Sequence, residues 1–174
     1  DGRNKLKDFY EFDPATNAWT QKADFGGTAR YGAVAMAIDN KGYIGTGYDV
    51  SYLKDFWQYD PSTDSWTQKS SIGGSKRRDA ACFVINSKGY ITTGIDNGEY
   101  LTDFWMYDPG TDMWTKKREI ADLSNEAYDD KYSTIKGIGK VGFTISGKGY
   151  LATGGQTSGV ETWEYDPATD LWIE

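Results

Sequence analysis

The sequence has no histidine among its 174 residues and only one cysteine. Histidine is the usual general acid or base near neutral pH, so its absence removes the commonest form of proton-transfer catalysis from this segment. One cysteine, Cys82, excludes an intramolecular disulfide. Because Cys82 lies in the apolar run AACFVI, we expect a buried and unreactive thiol.

Positive charge and long apolar runs are also scarce. Lys and Arg number 19 against 26 Asp and Glu, which gives a net charge of −7. An acidic chain is not expected to bind nucleic acid through its phosphates. No apolar run approaches the roughly 20 residues that span a bilayer, so membrane insertion is not expected either.

Proline occurs four times, always at the same place in a repeated motif. The motif DFWQYDPSTDSW (residues 55–66) has close copies that end at Trp19, Trp114 and Trp172. The four terminal tryptophans are 47, 48 and 58 residues apart, and a second motif, KGYxxTG, recurs in the same register. A period of about 47 residues is typical of one blade of a β-propeller.

Each repeat predicts four short antiparallel strands. An apolar run, such as YGAVAMAI at residues 31–38, is followed by a tight turn, where we expect positive φ at the glycines of the KGY motif, Gly42, Gly89 and Gly149. The second strand contains KGY, and the fourth begins at the motif's last tryptophan. The predicted segments are a half blade at 1–22 and blades at 23–69, 70–117 and 118–174, the last with an acidic insertion.

Alternation in the third strand places aromatic rings on both faces of each sheet. Trp57 and Tyr59 are predicted to face one side, and Phe56 and Gln58 the other. In the turn that follows, proline fixes φ and the preceding aspartate can accept a hydrogen bond from the backbone ahead. A sheet that is apolar on both faces must be covered by a neighbour on each side.

These motifs resemble the kelch repeat, most closely that of bacterial secreted or cell-surface kelch-type proteins. The resemblance covers almost the whole chain and includes Arg30 and Arg77, although Gly137 stands at the third arginine position. It implies an all-β, kelch-type β-propeller, here an arc of about three and a half four-stranded antiparallel blades. Because kelch propellers have six or seven blades, we expect missing blades, supplied by the same protein or a neighbouring chain.

Candidate binding residues lie in the loops that differ between the repeats. Loops between strands two and three, and between one repeat and the next, should emerge on the same face of a propeller. Variable loops on a repeated scaffold commonly carry recognition. We therefore predict a binding face that contains Asp49, Tyr52, Asp96, Asn97, Glu99 and Tyr100, with Arg30 and Arg77 near the axis.

Neither catalysis nor a cofactor is predicted from these residues. The acidic insertion at 117–137 has carboxylates that could ligate calcium, but it does not follow the EF-hand spacing, and a solvated loop is favoured. The pairs Asp60/Asp64 and Asp108/Asp112 are interpreted as turn caps rather than metal ligands. Some kelch-like domains resemble galactose oxidase, whose copper site requires histidine, and this segment has none. No P-loop, zinc spacing or nucleophile–base pair is visible.

The favoured function is a non-catalytic binding or scaffold module for a protein or glycan partner. The resemblance places it outside the cell or at the bacterial cell surface. One alternative is a structural component of a larger surface or secretion assembly. A second is part of a carbohydrate-active enzyme whose catalytic residues lie outside this segment.

Overall fold

The computed structural model describes residues 4–118, 135–155 and 162–173, and within these ranges the regular structure consists of β-strands. No helix long and apolar enough to cross a membrane occurs among the described residues. The strands are β1 Phe9–Asp13, β2 Ala18–Lys22, β3 Val34–Ile38, β4 Lys41–Gly45, β5 Phe56–Asp60, β6 Ser65–Lys69, β7 Ala81–Ile85, β8 Lys88–Thr92, β9 Ile95–Asp96, β10 Glu99–Tyr100, β11 Phe104–Asp108, β12 Met113–Lys116, β13 Val141–Ile145, β14 Lys148–Ala152, β15 Trp163–Asp166 and β16 Leu171–Ile173.

Three antiparallel four-stranded sheets repeat along the chain. We call them repeat A (β3–β6), repeat B (β7, β8, β11, β12) and repeat C (β13–β16), and in each the strands pair in chain order. Strands β1 and β2 pair with each other and form a half-repeat, while β9 and β10 make a small hairpin inside a loop of repeat B. The all-β class and the arc of propeller blades are therefore confirmed.

The first turn of each repeat differs from the prediction. Positive φ occurs at the two residues before the lysine of KGY: Asp39 and Asn40 in repeat A, Asn86 and Ser87 in repeat B, and Ser146 and Gly147 in repeat C. Two successive residues with positive φ make a type I′ hairpin turn, which asparagine, aspartate and glycine tolerate well. The prediction that Gly42, Gly89 and Gly149 adopt positive φ was wrong, because these glycines lie within the second strands.

On the second strand, the KGY glycines Gly89 and Gly149 leave space for a side chain of the preceding repeat. A Cβ atom on Gly89 would lie 2.5 Å from Sδ of Met36 and 3.1 Å from Cδ1 of Ile38, both on β3 of repeat A. A Cβ atom on Gly149 would overlap the ring of Phe83, on β7 of repeat B. The first strand of one repeat thus packs an apolar side chain directly over the glycine of the next repeat.

Aromatic rings from adjacent repeats also interleave. Phe56 of repeat A is 1% exposed, and its ring centroid lies 4.9 Å from that of Tyr107 and 5.0 Å from that of Trp114 in repeat B. Tyr59 faces the other way and lies 4.8 Å from Phe9 of the half-repeat. The alternation predicted for the third strand is confirmed, because its two faces contact different neighbours.

In repeats A, B and C the DPxT turn ties the repeat to the segment that leads into it. The aspartate before proline accepts a hydrogen bond from the backbone two residues ahead, as predicted, in all four copies, Asp13, Asp60, Asp108 and Asp166. The motif's last aspartate also bonds to the segment that precedes its repeat. In repeat A, Asp64 accepts bonds from the Tyr59 hydroxyl (2.8 Å) and from the Ala23 amide (2.9 Å). Burial, followed by this bond to Asp64, raises the pKa of Tyr59 to about 12.

Both ends of the arc expose apolar side chains. Tyr10, Phe12 and Trp19 of the half-repeat are 45%, 42% and 68% exposed. On β13 of repeat C, Phe143 and Ile145 are 37% and 55% exposed. In repeats A and B, the equivalents of the half-repeat residues are covered by the preceding repeat, and the equivalents of Phe143 and Ile145 are covered by the following one. Both ends of the described arc therefore lack a neighbour.

We predict that Trp66→Ala lowers the free energy of unfolding by about 3 kcal/mol. The Trp66 ring packs against Phe9 and Phe25 of the preceding segment, and its Nε1 donates to the Ala23 carbonyl at 3.1 Å. Trp19→Ala is the matched control, because this exposed copy should lose less than about 1 kcal/mol. Urea melts measure both, and equal losses would contradict the packing between repeats.

We predict that Gly149→Ala costs about 1–3 kcal/mol by overpacking against Phe83. Gly42→Ala occupies the same place in its repeat but should be nearly neutral. The nearest atom that its Cβ would meet is Cβ of Tyr59, at an ordinary 3.5 Å. Thermal denaturation of the two variants compares them directly; a larger loss at Gly42 would show that the glycines are needed for another reason.

Candidate functional site

The two classes of variable loop meet on one face of the arc. Leu53, in the loop after β4, forms a β-bridge with Arg77, in the loop after β6, and the Ile72 amide donates to the Lys54 carbonyl at 3.0 Å. The half-repeat makes the same pairing between Leu6 and Arg30. We call this surface the loop face; the hairpin and DPxT turns lie at the opposite ends of the strands.

Arg30 lies beneath the loop face with every donor engaged. Its guanidinium makes two bonds to the Asp55 carboxylate, of 2.6 and 2.8 Å, and one of 2.9 Å to the Thr46 carbonyl. Nε and the remaining Nη2 hydrogen bond to the Thr28 carbonyl and hydroxyl, at 3.0 and 3.3 Å. Trp57 Nε1 donates to the same carboxylate at 2.7 Å. Five donors thus hold together loops from two segments.

Arg77 repeats this arrangement in repeat B and is 0% exposed. It donates to Asp103 Oδ2 at 2.7 Å and to the Thr93 carbonyl at 3.2 Å, and Trp105 Nε1 joins the carboxylate at 2.7 Å. Both arginines therefore stabilise the loop face. A direct contact of Arg30 or Arg77 with a ligand stays a prediction, and Arg30 has no donor left to make one.

The carbonyls that the arginines bind belong to strained threonines. Thr46, Thr93 and Thr153, in the TG of each KGYxxTG motif, have φ of 60°, 59° and 59°. A β-branched residue at positive φ is unfavourable and persists only where its surroundings fix it. Repeat C has Gly137 in place of the arginine, and there Lys140 Nζ donates to the Thr153 carbonyl at 3.0 Å. Lysine thus replaces arginine at the same carbonyl.

Three half-buried tyrosines form the aromatic part of the loop face. The Tyr48 ring centroid lies 5.5 Å from that of Tyr31 and 5.2 Å from that of Tyr52. The guanidinium of Arg78 lies 5.9 Å from the Tyr52 ring, and Lys5 Nζ lies 6.0 Å from the Tyr48 ring. We call Tyr31, Tyr48, Tyr52 and Arg78 the tyrosine cluster. Of these, only Tyr52 was predicted.

Asp49 holds the loop that carries Tyr52. Its carboxylate accepts bonds from the Val50 and Ser51 amides at 2.5 and 2.9 Å, and from the Thr28 hydroxyl at 3.0 Å. These bonds, the Ser51 amide first, hold the pKa of Asp49 well below its usual value. Asp49 therefore remains charged over the whole physiological range and orders the loop beside the tyrosine cluster.

The other predicted residues lie on the small hairpin of repeat B. Asn97 and Gly98 form its turn, Glu99 pairs with Asp96, and the side-chain Nδ2 of Asn97 donates to Asp96 Oδ1 at 3.0 Å. The neighbouring strand residue Ile95 bridges to Arg78. Arg78 thus lies between the predicted residues of the two loops. Its backbone pairs with the small hairpin, and its side chain lies beside Tyr52.

A polar groove of about 400 Å³ lies next to this hairpin, lined by Gly74, Ser75, Tyr100, Leu101, Thr102, Asp103, Trp105 and Lys116. Among the described residues, Asp103 Oδ1 is buried without a hydrogen-bond partner. The equivalent Asp55 has both oxygens bound to Arg30. The two copies of the arginine–aspartate pair therefore differ in how completely they are bonded.

The side chains considered for chemistry have structural partners. Among the described residues, no three His, Cys, Asp or Glu side chains lie close enough together to hold a metal ion. Asp60 and Asp64 are instead bonded to Lys41, Ser62, Tyr59 and Ala23. A buried Cys82 was predicted, but the residue as a whole is partly exposed. Its thiol group is nevertheless buried, which raises the pKa of the thiol to about 11 and makes it a poor nucleophile at neutral pH. The carboxylates of the acidic insertion, from Glu119 to Asp130, lie outside the described residues.

Comparison with known proteins gives a family and a structural neighbour. The family model described as the KLHDC2/KLHL20/DRC7 Kelch-repeats domain matches residues 1–137. A solved structure titled "Structure of YjhT" is similar with a TM-score of 0.76 and 19% sequence identity. The similarity covers 95% of this chain and 58% of that chain. The curated proteins gave no significant match.

We predict that Asp55→Asn lowers the free energy of unfolding at pH 7 by about 3 kcal/mol, because it leaves Arg30 buried without its counter-charge. Burial raises the pKa of Asp55, but the bonds from Arg30 and Trp57 outweigh it and lower the pKa below 3.8. Stability from this carboxylate is therefore present above pH 3.8 and lost as the pH falls through the lower folded value.

The variant should consequently lose less further stability than the wild type between about pH 5 and pH 2. Urea melts across that range measure the difference. Asp96→Asn is the control, since the side-chain bond described for Asp96 comes from its neighbour Asn97. Identical acid profiles for wild type and Asp55→Asn would contradict the role given to the pair.

Proposed function

Because the chain belongs to the kelch-repeat family of β-propellers, we propose that it is a non-catalytic binding module whose loop face holds a protein partner. The chain spans 58% of the length of its structural neighbour, and the proposal concerns this segment. We also propose an extracellular or cell-surface location, which rests on the resemblance to bacterial kelch-type proteins. A structural role in a surface assembly would use the same face.

The tyrosine cluster is the observation that carries this proposal. Tyrosine and arginine are enriched among the residues that dominate binding energy at protein interfaces. A tyrosine offers a large amphipathic surface with few rotatable bonds, so little conformational entropy is lost on binding. Tyr31, Tyr48 and Tyr52 are each half-buried, which leaves part of every ring available to a partner.

The scaffold beneath the cluster is rigid. The Arg30–Asp55 and Arg77–Asp103 pairs fix the two ends of the loops that carry Tyr52 and the small hairpin. A surface held in its binding conformation avoids part of the ordering cost of association. Differences between loops of otherwise similar repeats then give the face its specificity.

A glycan is the second candidate ligand, and the polar groove beside the small hairpin favours it. Tyr100, Trp105 and Asp103 all line that groove, and Trp105 Nε1 donates to the Asp103 carboxylate at 2.7 Å. Concave sites that combine aromatic walls with a few polar groups are typical of small-molecule binding. Catalytic groups contributed from outside this segment would make the groove part of an enzyme, which is the weaker alternative.

We predict that peptides selected on the wild-type chain from a phage-displayed random library bind at the tyrosine cluster. Tyr52→Ala and Arg78→Ala should each weaken such peptides more than tenfold, as expected for hot-spot residues. Ser62→Ala, in the DPxT turn on the opposite face, should bind normally. Fluorescence anisotropy of the labelled peptides measures the affinities, and circular dichroism checks that the variants fold.

Peptides that bind all of these variants equally would exclude the cluster as the site. A glycan array tests the second candidate in parallel. Strong array signals that disappear in Trp105→Ala, together with no selected peptide, would favour glycan binding over the proposed protein partner.

A further inference from the structure

Repeat B differs from its neighbours at one residue beside the tyrosine cluster. Gly32, Asp79 and Gly139 hold the same place in repeats A, B and C, two residues before the first strand, and their φ values are 65°, 55° and 65°. Glycine adopts positive φ at no steric cost, whereas an aspartate in this conformation is strained. Repeat B therefore keeps a side chain at an energetic cost where the other two repeats have none.

The backbone around Asp79 does not require that side chain. The Asp79 amide donates to the Gly32 carbonyl at 2.8 Å, and the Asp79 carbonyl accepts a bond from the Gly139 amide at 3.2 Å. These bonds join the three repeats through main-chain atoms, which a glycine at position 79 would supply equally well. Strain that the backbone does not need points to a separate role for the side chain.

The partner of that side chain is Arg78. The Asp79 carboxylate forms an ion pair with Nη1 of Arg78, and each side chain is 27% exposed. Gly32 leaves room for the pair, because a Cβ atom there would lie 2.6 Å from Oδ1 of Asp79 and 3.1 Å from Cβ of Arg78. The Arg78 guanidinium in turn lies 5.9 Å from the Tyr52 ring. Asp79 thus neutralises the arginine of the tyrosine cluster and limits where its side chain can lie.

Arg78 stands where repeat A has a tyrosine of the same cluster. The amide and carbonyl of Arg78 both bond to Ile95, at 3.2 and 3.1 Å. Tyr31 bonds to Tyr48 in the same way, at 3.1 and 2.9 Å. The backbone of Arg78 is therefore fixed, and its side chain is the part that can respond to a counter-charge. Among the described residues, Asp79 is the only carboxylate that forms an ion pair with it.

The charges around the tyrosine cluster balance. Two cations, Lys5 and Arg78, lie beside its rings. Two carboxylates oppose them: Asp49 accepts bonds from its own loop, and Asp79 pairs with Arg78. A surface with balanced charge offers no net attraction to an acidic or a basic segment of a partner. Complementarity at the cluster therefore favours a segment without charge.

The surface that remains at the cluster is apolar and aromatic. Val50, in the same loop as Tyr48 and Tyr52, is 81% exposed, and Leu6, next to Lys5 in the chain, is 62% exposed. The methylene stem of an arginine that lies over a ring adds further apolar area. Charged residues are depleted at the centre of protein interfaces, where aromatic residues and arginine are enriched. The cluster has this composition.

We propose that Asp79 determines the specificity of the tyrosine cluster: by neutralising Arg78, it selects an uncharged apolar or aromatic segment of the protein partner and discriminates against an acidic one. This inference rests on the proposed function. Removal of Asp79 would leave an uncompensated cation beside three tyrosines, and a guanidinium with free donors binds carboxylates strongly. The strain at Asp79 is then the cost of rejecting an unwanted class of ligand.

Chemical modification tests the neutralisation without any partner. Phenylglyoxal reacts with accessible arginines, and peptide mass spectrometry reports the rate at Arg78. We expect Asp79→Asn to raise that rate at least threefold, because asparagine tolerates the same φ but carries no charge. Asp39→Asn is the control, since it makes the same change of charge at a positive-φ residue in a hairpin turn of the opposite face. Equal rates at Arg78 in the wild type and Asp79→Asn would overturn the inference.

Parallel selections test the specificity. A phage-displayed random peptide library is selected on the wild type, on Asp79→Asn and on Asp39→Asn, and the Asp and Glu content of the bound peptides is compared. We expect acidic residues to be at least threefold more frequent in the Asp79→Asn pool than in the wild-type pool. The Asp39→Asn pool should resemble the wild-type pool. The same acidic content in all three pools would overturn the inference.

Thermal denaturation separates a role in specificity from a role in folding. Asp79→Gly should melt at the wild-type temperature or up to about 4 °C above it, because glycine relieves the strain and keeps the main-chain bonds. A lower melting temperature would show that the carboxylate holds the fold and would overturn the inference. Selected peptides that bind Tyr52→Ala as well as the wild type would instead contradict the proposed function. The rates at Arg78 and the melting temperatures judge Asp79 without reference to any peptide.

Discussion

The structure depends on one contact that is made twice: an apolar side chain on the first strand of a repeat packs over a glycine on the second strand of the next. Met36 over Gly89 and Phe83 over Gly149 bring the sheets close enough for the aromatic rings of the third and fourth strands to interleave. A methyl group at either glycine would separate the sheets. The repetition of KGY along the chain is therefore a packing requirement between repeats rather than a property of one sheet.

The same stacking explains why the loops can vary. The ends of each loop are fixed by groups that recur, the arginine–aspartate pair and the carbonyl of a threonine at positive φ. Between those points the sequence is free to change, so repeat A presents Tyr48 and Tyr52 where repeat B presents a small hairpin. In repeat C, Lys140 binds the threonine carbonyl in place of an arginine, which shows that the carbonyl needs a cationic donor more than it needs one particular residue.

Sequence alone was sufficient for the features that depend on local pattern. Alternation along DFWQYD indicated that Phe56 and Tyr59 face different neighbours, and the spacing of the tryptophans indicated the repeats. It failed where a residue's role depends on another repeat. Gly42, Gly89 and Gly149 resemble turn glycines locally, and only the adjacent sheet reveals that two of them lie beneath a large side chain. Of the tyrosine cluster only Tyr52 was predicted, because it is β-bridges that join Tyr31, before β3, to Tyr48 and Tyr52, in the loop after β4.

The described arc presents one half of the inter-repeat contact at each end: an uncovered glycine at Gly42 and an uncovered phenylalanine at Phe143. The loop face is arranged differently. The tyrosine cluster lies on repeats A and B, and Arg30 and Arg77 are held there by bonds to the carboxylates of Asp55 and Asp103 and to the carbonyls of Thr46 and Thr93. Recognition at the loop face therefore rests on other interactions than those left open at the two ends of the described arc. A partner bound at the cluster contacts side chains that the stacking of repeats A and B already holds in place, so its binding needs nothing from either open end.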